Sequence, residues 1–348
     1  MSDIPIRLMQ VIAGGKNGGA EEFFVRLAIG LERAGINQRV VVRSDRSWSE
    51  RMIAAGVDTK LIKFGGYFDH FTRRQLNQQI EDFKPTHLLT WMNRATRVVS
   101  RLHSNLNYTH IARLGGYYDT KYYKNCDHLI GNTPKIVSYL RDLGCPADRV
   151  HYLPNFADSS SADPIPRSTF GTPDNVSVIL ALGRCHENKG FDVLLDALPS
   201  IPSVWLWIAG DGPCKKKLEK QAECLDVSNR VCFLGWRRDV PALLASADVF
   251  VCSSRHEPLG NIILEAWASS TPVISTNADG PCHLIEPGKE GLLVPIEDPE
   301  ALSNSINTLL ENHALSERLA KDGFEKFNSE FTENVVVKKY ISLLQQTI

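Results

Sequence analysis

The chain alternates short apolar runs rich in β-branched residues with longer amphipathic segments, and this alternation constrains its fold more than any other feature. In the first half, such runs predict strands at residues 6–13, 39–43, 87–91, 110–113 and 128–131. After the first strand, apolar residues recur at helical spacing over residues 20–34, and Gly35 follows as a helix-ending residue. Strands that alternate with helices predict a mostly parallel sheet covered by helices on both faces, the α/β class.

A polar segment at residues 156–175, rich in Ser, Pro, Asp and Gly, interrupts this pattern and predicts a linker. The alternation then resumes, with strands predicted at residues 178–183, 205–209, 231–234, 249–253 and 273–275. The 348 residues are enough for about two domains of ordinary size. We therefore predict α/β domains at residues 1–155 and 176–325, followed by a C-terminal helix at residues 326–348.

The two halves carry opposite charge, although the whole chain has a net charge of only -1. Residues 1–155 hold 22 Lys and Arg against 14 Asp and Glu, whereas residues 156–348 hold 17 against 26. A basic first half favours an anionic partner, such as an acidic membrane surface, a phosphorylated glycan or nucleic acid. The alternative is a chance imbalance between two solvated surfaces. Nucleic acid is disfavoured because basic motifs interleaved with aromatic residues are not evident.

Cysteine spacing and hydropathy bear on whether the chain is secreted, disulfide-bonded or membrane-spanning. None of the eight cysteines forms a C-x-x-C pair, which argues against a zinc site and against a disulfide scaffold. The first residues lack the pattern of a signal peptide, and no apolar run approaches the roughly 20 residues that a membrane span needs. We predict a cytoplasmic protein that is either soluble or peripheral on the inner face of a membrane.

Ligands of open α/β sheets bind at the carboxyl ends of the strands, so the loops that follow predicted strands are the candidate sites. The first strand leads into a glycine-rich loop at residues 14–19 and then a helix, which suits close approach of an anion. Its spacing is not G-x-G-x-x-G, and Arg43 and Ser44 end the second strand where a dinucleotide site needs an acidic residue. The alternative is a tight strand-to-helix turn.

The loop at residues 183–190, after the first strand of the second half, carries Arg184 and Lys189. Two cations in such a loop can clamp a diphosphate, because Arg binds it in a forked geometry and Lys acts as a point charge. A departing nucleoside diphosphate gains negative charge, and the clamp would stabilise it. The alternative is a pair of solvated surface charges.

A third loop, at residues 253–260, precedes a predicted helix that begins near Asn261. Backbone amides at Gly260, Asn261 and Ile262 are suited to anionic oxygens. Glu257 precedes this helix and Glu265 lies about one turn into it, so one carboxylate can reach a sugar while the other receives ribose hydroxyls. For Glu265 alone, a favourable interaction with the helix dipole is an equally simple explanation.

Taken together, these motifs resemble the family 4, or group 1, glycosyltransferases over nearly the full chain. An E-x7-E pattern is matched by Glu257 and Glu265, and a G-R-x-x-x-x-K-G pattern by Arg184 and Lys189. Further landmarks in the same order are Gly-Gly-Ala-Glu at 18–21, Ile-Ala-Gly-Asp-Gly-Pro at 208–213 and Phe-Leu-Gly-Trp at 233–236. The resemblance implies the GT-B fold, with two Rossmann-like domains whose parallel sheets face a central cleft.

The resemblance also implies a retaining transferase that uses a nucleoside-diphosphate sugar as co-substrate and needs neither another cofactor nor a metal. It assigns catalytic roles to Arg184 and Lys189, which hold the diphosphate, and to Glu257, which contacts the transferred sugar. The other donor-binding residues that it implies are Gly18, Gly19, Trp236, Arg237, Gly260, Asn261, Ile262 and Glu265. It further implies that the C-terminal helix crosses back to the first domain.

One departure from the family pattern concerns the acceptor side. Many relatives carry a His at the end of a strand in the first domain, whereas residues 111–119 contain none. The candidates for part of that role are Arg113, Tyr117 and Asp119. The loop that ends another predicted strand carries Asn93 and Arg94 and is also a candidate to face the acceptor; the alternative is a surface turn. The expected acceptor is a hydroxyl of a glycan or glycolipid, as in surface polysaccharide or lipopolysaccharide synthesis. Two alternatives stay open: a nucleotide-sugar epimerase of the same architecture, and a non-enzymatic nucleotide-sugar or nucleic-acid binder.

Overall fold

The computed structural model describes residues 5–16, 18–65, 70–100, 102, 107–158 and 162–347. These residues form two compact units. Unit 1 comprises Met1–Phe156 together with Glu333–Ile348, and unit 2 comprises Ala157–Thr332. Each unit is built on one parallel sheet, as the alternation of strands and helices predicts.

Unit 1 contains a seven-stranded sheet in the order β3-β2-β1-β4-β5-β6-β7, with every neighbouring pair parallel. Its strands are β1 (Arg7–Ile12), β2 (Asn37–Arg43), β3 (Asp58–Ile62), β4 (His87–Trp91), β5 (Thr109–Leu114), β6 (His128–Gly131) and β7 (Val150–Tyr152). The helices between them are α1 (Gly19–Arg33), α2 (Ser49–Ala54), α3 (His70–Phe83), α4 (Met92–Val99) and α5 (Pro134–Asp142). The helix predicted at residues 20–34 is thus confirmed, shifted by one residue.

Helix α1 packs against the sheet through its apolar stripe. Phe23 and Phe24 are buried and meet Trp91, at the end of β4, with ring centroids 5.9 and 5.2 Å apart. The indole N–H of Trp91 donates to the buried side chain of Gln10 at 3.1 Å. This packing fixes the position of α1 relative to the carboxyl ends of β1 and β4, where the loops of interest begin.

Unit 2 contains a six-stranded parallel sheet in the order β10-β9-β8-β11-β12-β13. Its strands are β8 (Ser177–Leu182), β9 (Val204–Ala209), β10 (Val231–Gly235), β11 (Val249–Cys252), β12 (Val273–Thr276) and β13 (Leu292–Val294). Its helices are α6 (Phe191–Ala197), α7 (Lys215–Cys224), α8 (Val240–Ser246), α9 (Asn261–Ala268), α10 (Pro281–Leu284), α11 (Pro299–Glu311) and α12 (His313–Glu330).

The last helix, α13 (Glu333–Gln346), belongs to unit 1 and packs against α1. Gly30 of α1 allows this contact, because a Cβ there would lie 3.0 Å from a methyl group of Val337. The segment predicted to begin at residue 326 begins later. Residues 326–330 complete α12, and the buried side chains of Phe327 and Phe331 hold them in the core of unit 2.

The predicted linker also differs from the structure. Residues 159–161 lie outside the described part, and most of the segment that follows them belongs to unit 2. Arg167–Phe170 form a 3-10 turn, and the ring of Phe170 packs on buried Trp207 at 4.9 Å. The indole of Trp207 donates to the hydroxyl of Thr172 at 2.9 Å. The polar segment is therefore not a free linker but an irregular stretch with one 3-10 turn, packed on the core of unit 2.

Each sheet has one point at which the strand order reverses. In unit 1 this switch point lies between β1 and β4, and in unit 2 it lies between β8 and β11. Open α/β sheets bind ligands in the crevice that the diverging loops leave at such a point. The glycine-rich loop after β1 and the loops after β8 and β11 are the three segments that the sequence singled out.

Candidate active site

Two loops at the switch point of unit 2 carry four of the candidate residues, Arg184, Lys189, Glu257 and Gly260. The first follows β8 and includes a 3-10 turn at Glu187–Lys189. The second follows β11 and ends where α9 begins. Because β8 and β11 are hydrogen-bonded neighbours, their carboxyl ends bring these loops side by side.

Lys189 and Glu257, one from each loop, form an ion pair between Nζ and Oε2. The exposed fraction of the side chain is 20% for Lys189 and 12% for Glu257, so the pair is largely shielded from water. Burial alone would lower the pKa of Lys189, but the charge and hydrogen bond of Glu257 outweigh burial and raise it. The other carboxylate oxygen of Glu257, Oε1, accepts a hydrogen bond from the Gly260 amide at 3.2 Å. Lys189 is therefore a charged ammonium, and Glu257 is held on both oxygens.

Further hydrogen bonds join the two loops along their length. The amide of Arg255 donates to the Asn188 carbonyl at 2.8 Å, and the hydroxyl of Ser253 donates to the Lys189 carbonyl at 2.9 Å. Gly190 has a φ of +60°, and a Cβ at this position would lie 2.1 Å from the Ser253 carbonyl oxygen. Only glycine permits both this backbone conformation and this approach. The Lys-Gly pair of the motif therefore seats one loop against the other.

The loop after β12 supports Glu257 through the backbone. The amide of Gly280 donates to the Glu257 carbonyl at 2.7 Å. A Cβ on Gly280 would lie 2.6 Å from that same carbonyl oxygen and 2.6 Å from the carbonyl carbon of Leu259. Glu257 is thus fixed by its backbone as well as by its side chain.

Helix α9 begins directly after Gly260, which has a φ of +83° and acts as the N-terminal cap. Asn261 and Ile262 are the first two helical residues, and both are half-buried. Glu265 lies about one turn further along and is also half-buried. The structure therefore places Glu257 before the helix, Glu265 within it and the amides of the first turn between them, in the predicted order.

Arg184 differs from Lys189 in its surroundings. Its side chain is exposed, and within the described part of the chain it forms no ion pair. The backbone on either side of Arg184 packs against the loop after β9. A Cβ on Gly210 would lie 1.7 Å from the carbonyl oxygen of Gly183. A Cβ on Gly212 would lie 2.4 Å from the carbonyl oxygen of Cys185. The glycines of the Ala-Gly-Asp-Gly landmark therefore allow two loops to touch through their backbones. Arg184 is an exposed cation on a closely packed backbone.

Trp236 and Arg237 follow β10 at the edge of the same sheet. The side chain of Trp236 is 69% exposed, which is unusual for so large an apolar group. The guanidinium of Arg237 donates from Nε to Asp239 at 2.9 Å and lies 5.3 Å from the ring centre of Phe170. Trp236 is open to a planar ligand, whereas Arg237 is held by its own neighbours.

In unit 1, a buried carboxylate organises the glycine-rich loop after β1. Glu21 is 7% exposed, and its Oε1 accepts a hydrogen bond from the Gly15 amide at 2.6 Å. A Cβ on Gly18 would lie 2.3 Å from Oε2 of Glu21, and one on Gly14 would lie 2.8 Å from Oε1. Gly19 begins α1. The glycines therefore make room for a side chain of the protein itself, and Glu21 fixes the loop through the Gly15 amide.

Asn93 and Arg94 lie in the first turn of α4, where the sequence predicted a loop. The preceding residue, Met92, has a φ of +60°, an uncommon and strained conformation for a bulky residue. The Asn93 side-chain carbonyl accepts a hydrogen bond from the hydroxyl of buried Tyr123. Arg94 donates to the carbonyl of Phe64 at 2.9 Å. Both side chains are thus anchored at the carboxyl end of β4.

The prediction that Arg113 contacts the acceptor is wrong, because its side chain is 1% exposed. The guanidinium lies 4.6 Å from the ring centres of both Phe23 and Trp91. Its Nε donates to the hydroxyl of Tyr340 in α13 at 2.9 Å, and another nitrogen donates to Asn155. Arg113 therefore stabilises unit 1 by holding the last helix to the sheet.

The two other candidates after β5 are on the surface. Tyr117 is 41% exposed and packs edge-to-face on Tyr139 with ring centroids 5.2 Å apart. Asp119 is exposed; its carboxylate accepts from the Lys121 amide at 2.9 Å and pairs with the Lys121 ammonium at 2.6 Å. Asp119 thus caps a short turn, and Tyr117 presents part of its ring to solvent.

Models of two known protein families match the sequence. The model described as "Glycosyl transferases group 1" matches residues 165–326, and the model described as "Glycosyltransferase Family 4" matches residues 17–161. A lipopolysaccharide core biosynthesis glycosyltransferase of Rhizobium meliloti, LpsE, is 35% identical over 95% of this chain and 96% of its own. A second from that organism, LpsD, is 31% identical over 96% of this chain and 97% of its own.

This chain belongs to the group 1 glycosyltransferases. Solved structures agree in fold: Anabaena HepE in complex with UDP and glucose superimposes with a TM-score of 0.83 at 21% identity, covering 97% of this chain and 99% of that one. A glycosyltransferase from Rickettsia africae gives a TM-score of 0.88 at 16% identity, covering 99% of each chain. The α/β GT-B fold and the transferase class are thereby confirmed, and the epimerase and non-enzymatic alternatives are set aside.

Sequence reasoning missed two residues of this glycosyltransferase that organise its loops. In the sequence, Glu21 stands out only as the last residue of the Gly-Gly-Ala-Glu landmark, and no motif assigns a role to Arg255. Both are charged residues close in sequence to the glycines and acids of the motifs, but the groups that they bind are brought to them only by the folded structure.

Within the described residues, no group of three or more His, Cys, Asp or Glu side chains is arranged to hold a metal ion. No described helix is both long and apolar enough to cross a bilayer.

Proposed function

We propose that this glycosyltransferase moves a sugar from a nucleoside-diphosphate sugar to a hydroxyl of a lipopolysaccharide-type or other surface glycan, with retention of anomeric configuration. The observation that carries the proposal is the ion pair of Lys189 and Glu257 at the switch point of unit 2, with exposed Arg184 in the same loop as Lys189. Two cations beside a carboxylate suit a diphosphate that is joined to a polyhydroxylated sugar.

In the free protein, Lys189 and Glu257 neutralise each other. A donor offers each of them a second partner: diphosphate oxygens for the ammonium, and sugar hydroxyl groups for the carboxylate. Exposed Arg184 supplies the second cation of the clamp. As the bond to the sugar breaks, negative charge grows on the departing diphosphate, and Lys189 and Arg184 stabilise that charge. These two cations take the part that a metal ion plays in other diphosphate sites.

The remaining donor contacts follow from the positions of the other loops. Glu265, in α9, accepts hydrogen bonds from the ribose hydroxyls. The exposed indole of Trp236 offers an apolar face to the base, and Arg237 orders the same turn. The amides of Asn261 and Ile262 meet anionic or sugar oxygens at the start of the helix, whereas the Gly260 amide already donates to Glu257.

The acceptor is proposed from the relatives and from charge. Two relatives that match nearly the whole chain are named for lipopolysaccharide core biosynthesis. Residues 63–124 hold ten Lys and Arg against four Asp and Glu, so this stretch carries most of the positive surplus of the first half. Within it, Phe71 is 61% exposed at the start of α3, close in sequence to Arg73 and Arg74. An aromatic side chain among cations suits the surface of an anionic membrane, and we place the enzyme peripherally on the cytoplasmic face.

Thermal stability of the purified protein, measured against UDP-, GDP- and ADP-sugars and the free diphosphates, tests the donor site. Binding to the folded state raises the melting temperature, so one nucleotide series should give a shift that Arg184→Ala removes. If no nucleotide shifts the wild type, the donor assignment fails. Proton NMR of the first product tests retention, since an inverted anomeric signal relative to the donor would exclude it.

Cosedimentation with lipid vesicles tests the membrane proposal. We expect binding to phosphatidylglycerol vesicles but not to phosphatidylcholine vesicles, with binding lost in the double variant Arg73→Glu/Arg74→Glu. Because surface attraction is screened by salt, binding should also weaken as ionic strength rises. Equal recovery from both vesicle types, or no dependence on the two arginines, would contradict the assignment of this surface.

A further inference from the structure

Arg255 lies in the loop after β11, two residues before Glu257, and every N–H of its guanidinium is already used by the protein. One terminal nitrogen donates to Asp192 at 2.7 Å and to the Glu187 carbonyl at 2.7 Å. The other donates to Asp192 at 2.7 Å and to Glu297 at 3.0 Å, and Nε also donates to Glu297. A guanidinium with no N–H left is not available to hold a diphosphate.

The partners of Arg255 come from three separate segments. Glu187 belongs to the 3-10 turn that carries Lys189, Asp192 lies in the first turn of α6, and Glu297 precedes α11. The Arg255 amide adds a fourth link, to the Asn188 carbonyl at 2.8 Å. One side chain therefore ties the Lys189 loop and the segment before α11 to the loop that carries Glu257.

The charges of this cluster explain why the tie depends on a guanidinium. Burial disfavours the ionised form of Asp192, but its hydrogen bonds and attraction to Arg255 outweigh burial and keep its pKa below the ordinary value. Without the cation, the carboxylates of Asp192 and Glu297 would face each other and repel. Glu297 also has a left-handed backbone, with a φ of +62°, which surrounding contacts must hold in place. Lysine has the charge but lacks the planar fork that binds two carboxylates at once.

We propose that Arg255 is a positioning residue for sugar transfer: it holds the loops of Lys189 and Glu257 in one relative geometry and acts only through those two residues. This rests on the proposed function of the Lys189–Glu257 site. A displacement of about 1 Å between reacting groups costs on the order of 100-fold in rate, so a loosened loop reduces turnover even where the fold persists.

The structure offers a matched control in the same unit. Arg167 binds Asp248 through both carboxylate oxygens, at 2.9 and 3.0 Å, and also donates to two backbone carbonyls. The exposed side-chain fractions are 22% and 39% for this pair, against 26% and 32% for Arg255 and Asp192. Arg167→Lys therefore perturbs a similar interaction that is not part of the two loops.

The test compares wild type, Arg255→Lys, Asp192→Asn and Arg167→Lys by melting temperature, nucleoside-diphosphate affinity, kcat and KM. We expect Arg255→Lys to lower kcat by about 100-fold and Asp192→Asn by about 10-fold, with KM changed less than kcat. Arg167→Lys should lower the melting temperature to a similar degree and keep kcat within about two-fold of wild type. Asp192→Asn keeps the size of the side chain and weakens the same ion pair, so its kcat tests the proposal if Arg255→Lys does not fold.

Two outcomes would overturn the inference. One is a kcat for Arg255→Lys and Asp192→Asn close to that of wild type. The other is a loss of kcat in Arg167→Lys as large as in Arg255→Lys, which would mean that activity follows stability alone. A wild type that neither binds a nucleoside diphosphate nor transfers sugar would instead refute the proposed function, so the two failures are distinguishable.

Discussion

The ion pair between Lys189 and Glu257 makes a quantitative prediction about stability and function together. Methionine at position 189 keeps the length of the side chain and removes the ammonium, and Glu257→Gln removes the opposite charge. Removing one partner of a buried pair costs about 3 to 5 kcal/mol, because a buried charge is left uncompensated. Here Glu257 keeps its hydrogen bond from Gly260 at 3.2 Å, and 20% of the Lys189 side chain is exposed. We therefore expect each single variant to lose about 2 to 3 kcal/mol of unfolding free energy, at or just below the lower end of that range.

The double variant should be less unstable than the sum of the two single variants. When both charges are removed, neither remaining group is an unpaired ion, and replacing both partners of a buried pair is often nearly neutral. Single losses of about 2 to 3 kcal/mol each and a nearly neutral double variant correspond to a coupling energy of about 4 to 6 kcal/mol, measured by equilibrium urea unfolding of the four proteins. A coupling energy under about 0.5 kcal/mol would refute the claim that these two side chains stabilise each other.

A second ion pair in unit 2 provides the control that separates function from stability. Lys326 pairs with Glu290 at 3.2 Å, with exposed side-chain fractions of 21% and 3%. Lys326→Met should reduce the free energy of unfolding by a similar amount and leave nucleoside-diphosphate affinity unchanged. Lys189→Met should weaken that affinity by at least 10-fold, since the diphosphate loses a cation. Equal affinities in the two variants would mean that Lys189 does not contact the diphosphate.

Three other regions of the molecule give independent predictions. Burial lowers the pKa of His110 to about 4, so between the ordinary value near 6.5 and pH 4 only the unfolded chain gains a proton. The free energy of unfolding should fall by about 3 kcal/mol as pH falls through this window, and urea titrations of His110→Gln should show a weaker pH dependence. Tyr340→Phe removes the hydroxyl that accepts a hydrogen bond from buried Arg113, and it should lower the free energy of unfolding by about 2 kcal/mol in urea titrations. A change under about 0.5 kcal/mol would contradict a stabilising role for this hydrogen bond. Gly190→Ala should lower the free energy of unfolding by more than about 2 kcal/mol, because the backbone there is left-handed and the new Cβ would also meet the Ser253 carbonyl. Gly35 is left-handed too, but a Cβ there would have nothing within 4 Å. Gly35→Ala should therefore lower the free energy of unfolding by only about 1 kcal/mol, the cost of the backbone conformation alone.

The sequence predicted the central strands but missed β3, β7 and β13. All three are edge strands of their sheets. A central strand of a parallel sheet is covered on both faces and appears as a continuous apolar run, as β4 does, with every residue buried. β3 is mostly half-exposed, and β7 and β13 span only three residues each. Their pairing comes from a neighbouring strand, which local hydrophobic periodicity does not report.

The motif loops were predictable for a different reason. Glycine, lysine and glutamate at fixed spacing after an apolar strand have a chemical purpose that can be read from residue type. Arg113 shows the limit of that reasoning: as a cation at the end of a strand, it has the same sequence context as a ligand-binding arginine. Its actual partner, Tyr340, is 227 positions away in the chain, so only the return of α13 to unit 1 identifies it as structural. Arg255 escapes sequence reasoning for a similar reason, since its partners Asp192 and Glu297 lie 63 and 42 positions away in the chain.

The loops after β1 and after β8 each use glycine to make room for a side chain of the protein itself. In unit 1, a Cβ on Gly18 would lie 2.3 Å from the carboxylate of Glu21, and in unit 2 a Cβ on Gly183 would lie 2.9 Å from Cε of Lys189. A glycine-rich loop is usually explained by the close approach of a ligand. Here the same small residues already serve the free protein, since the charged side chains they accommodate fix the loop before any ligand arrives. A donor that binds such loops has little backbone to order, so more of its contact energy is available for affinity and for the transfer step.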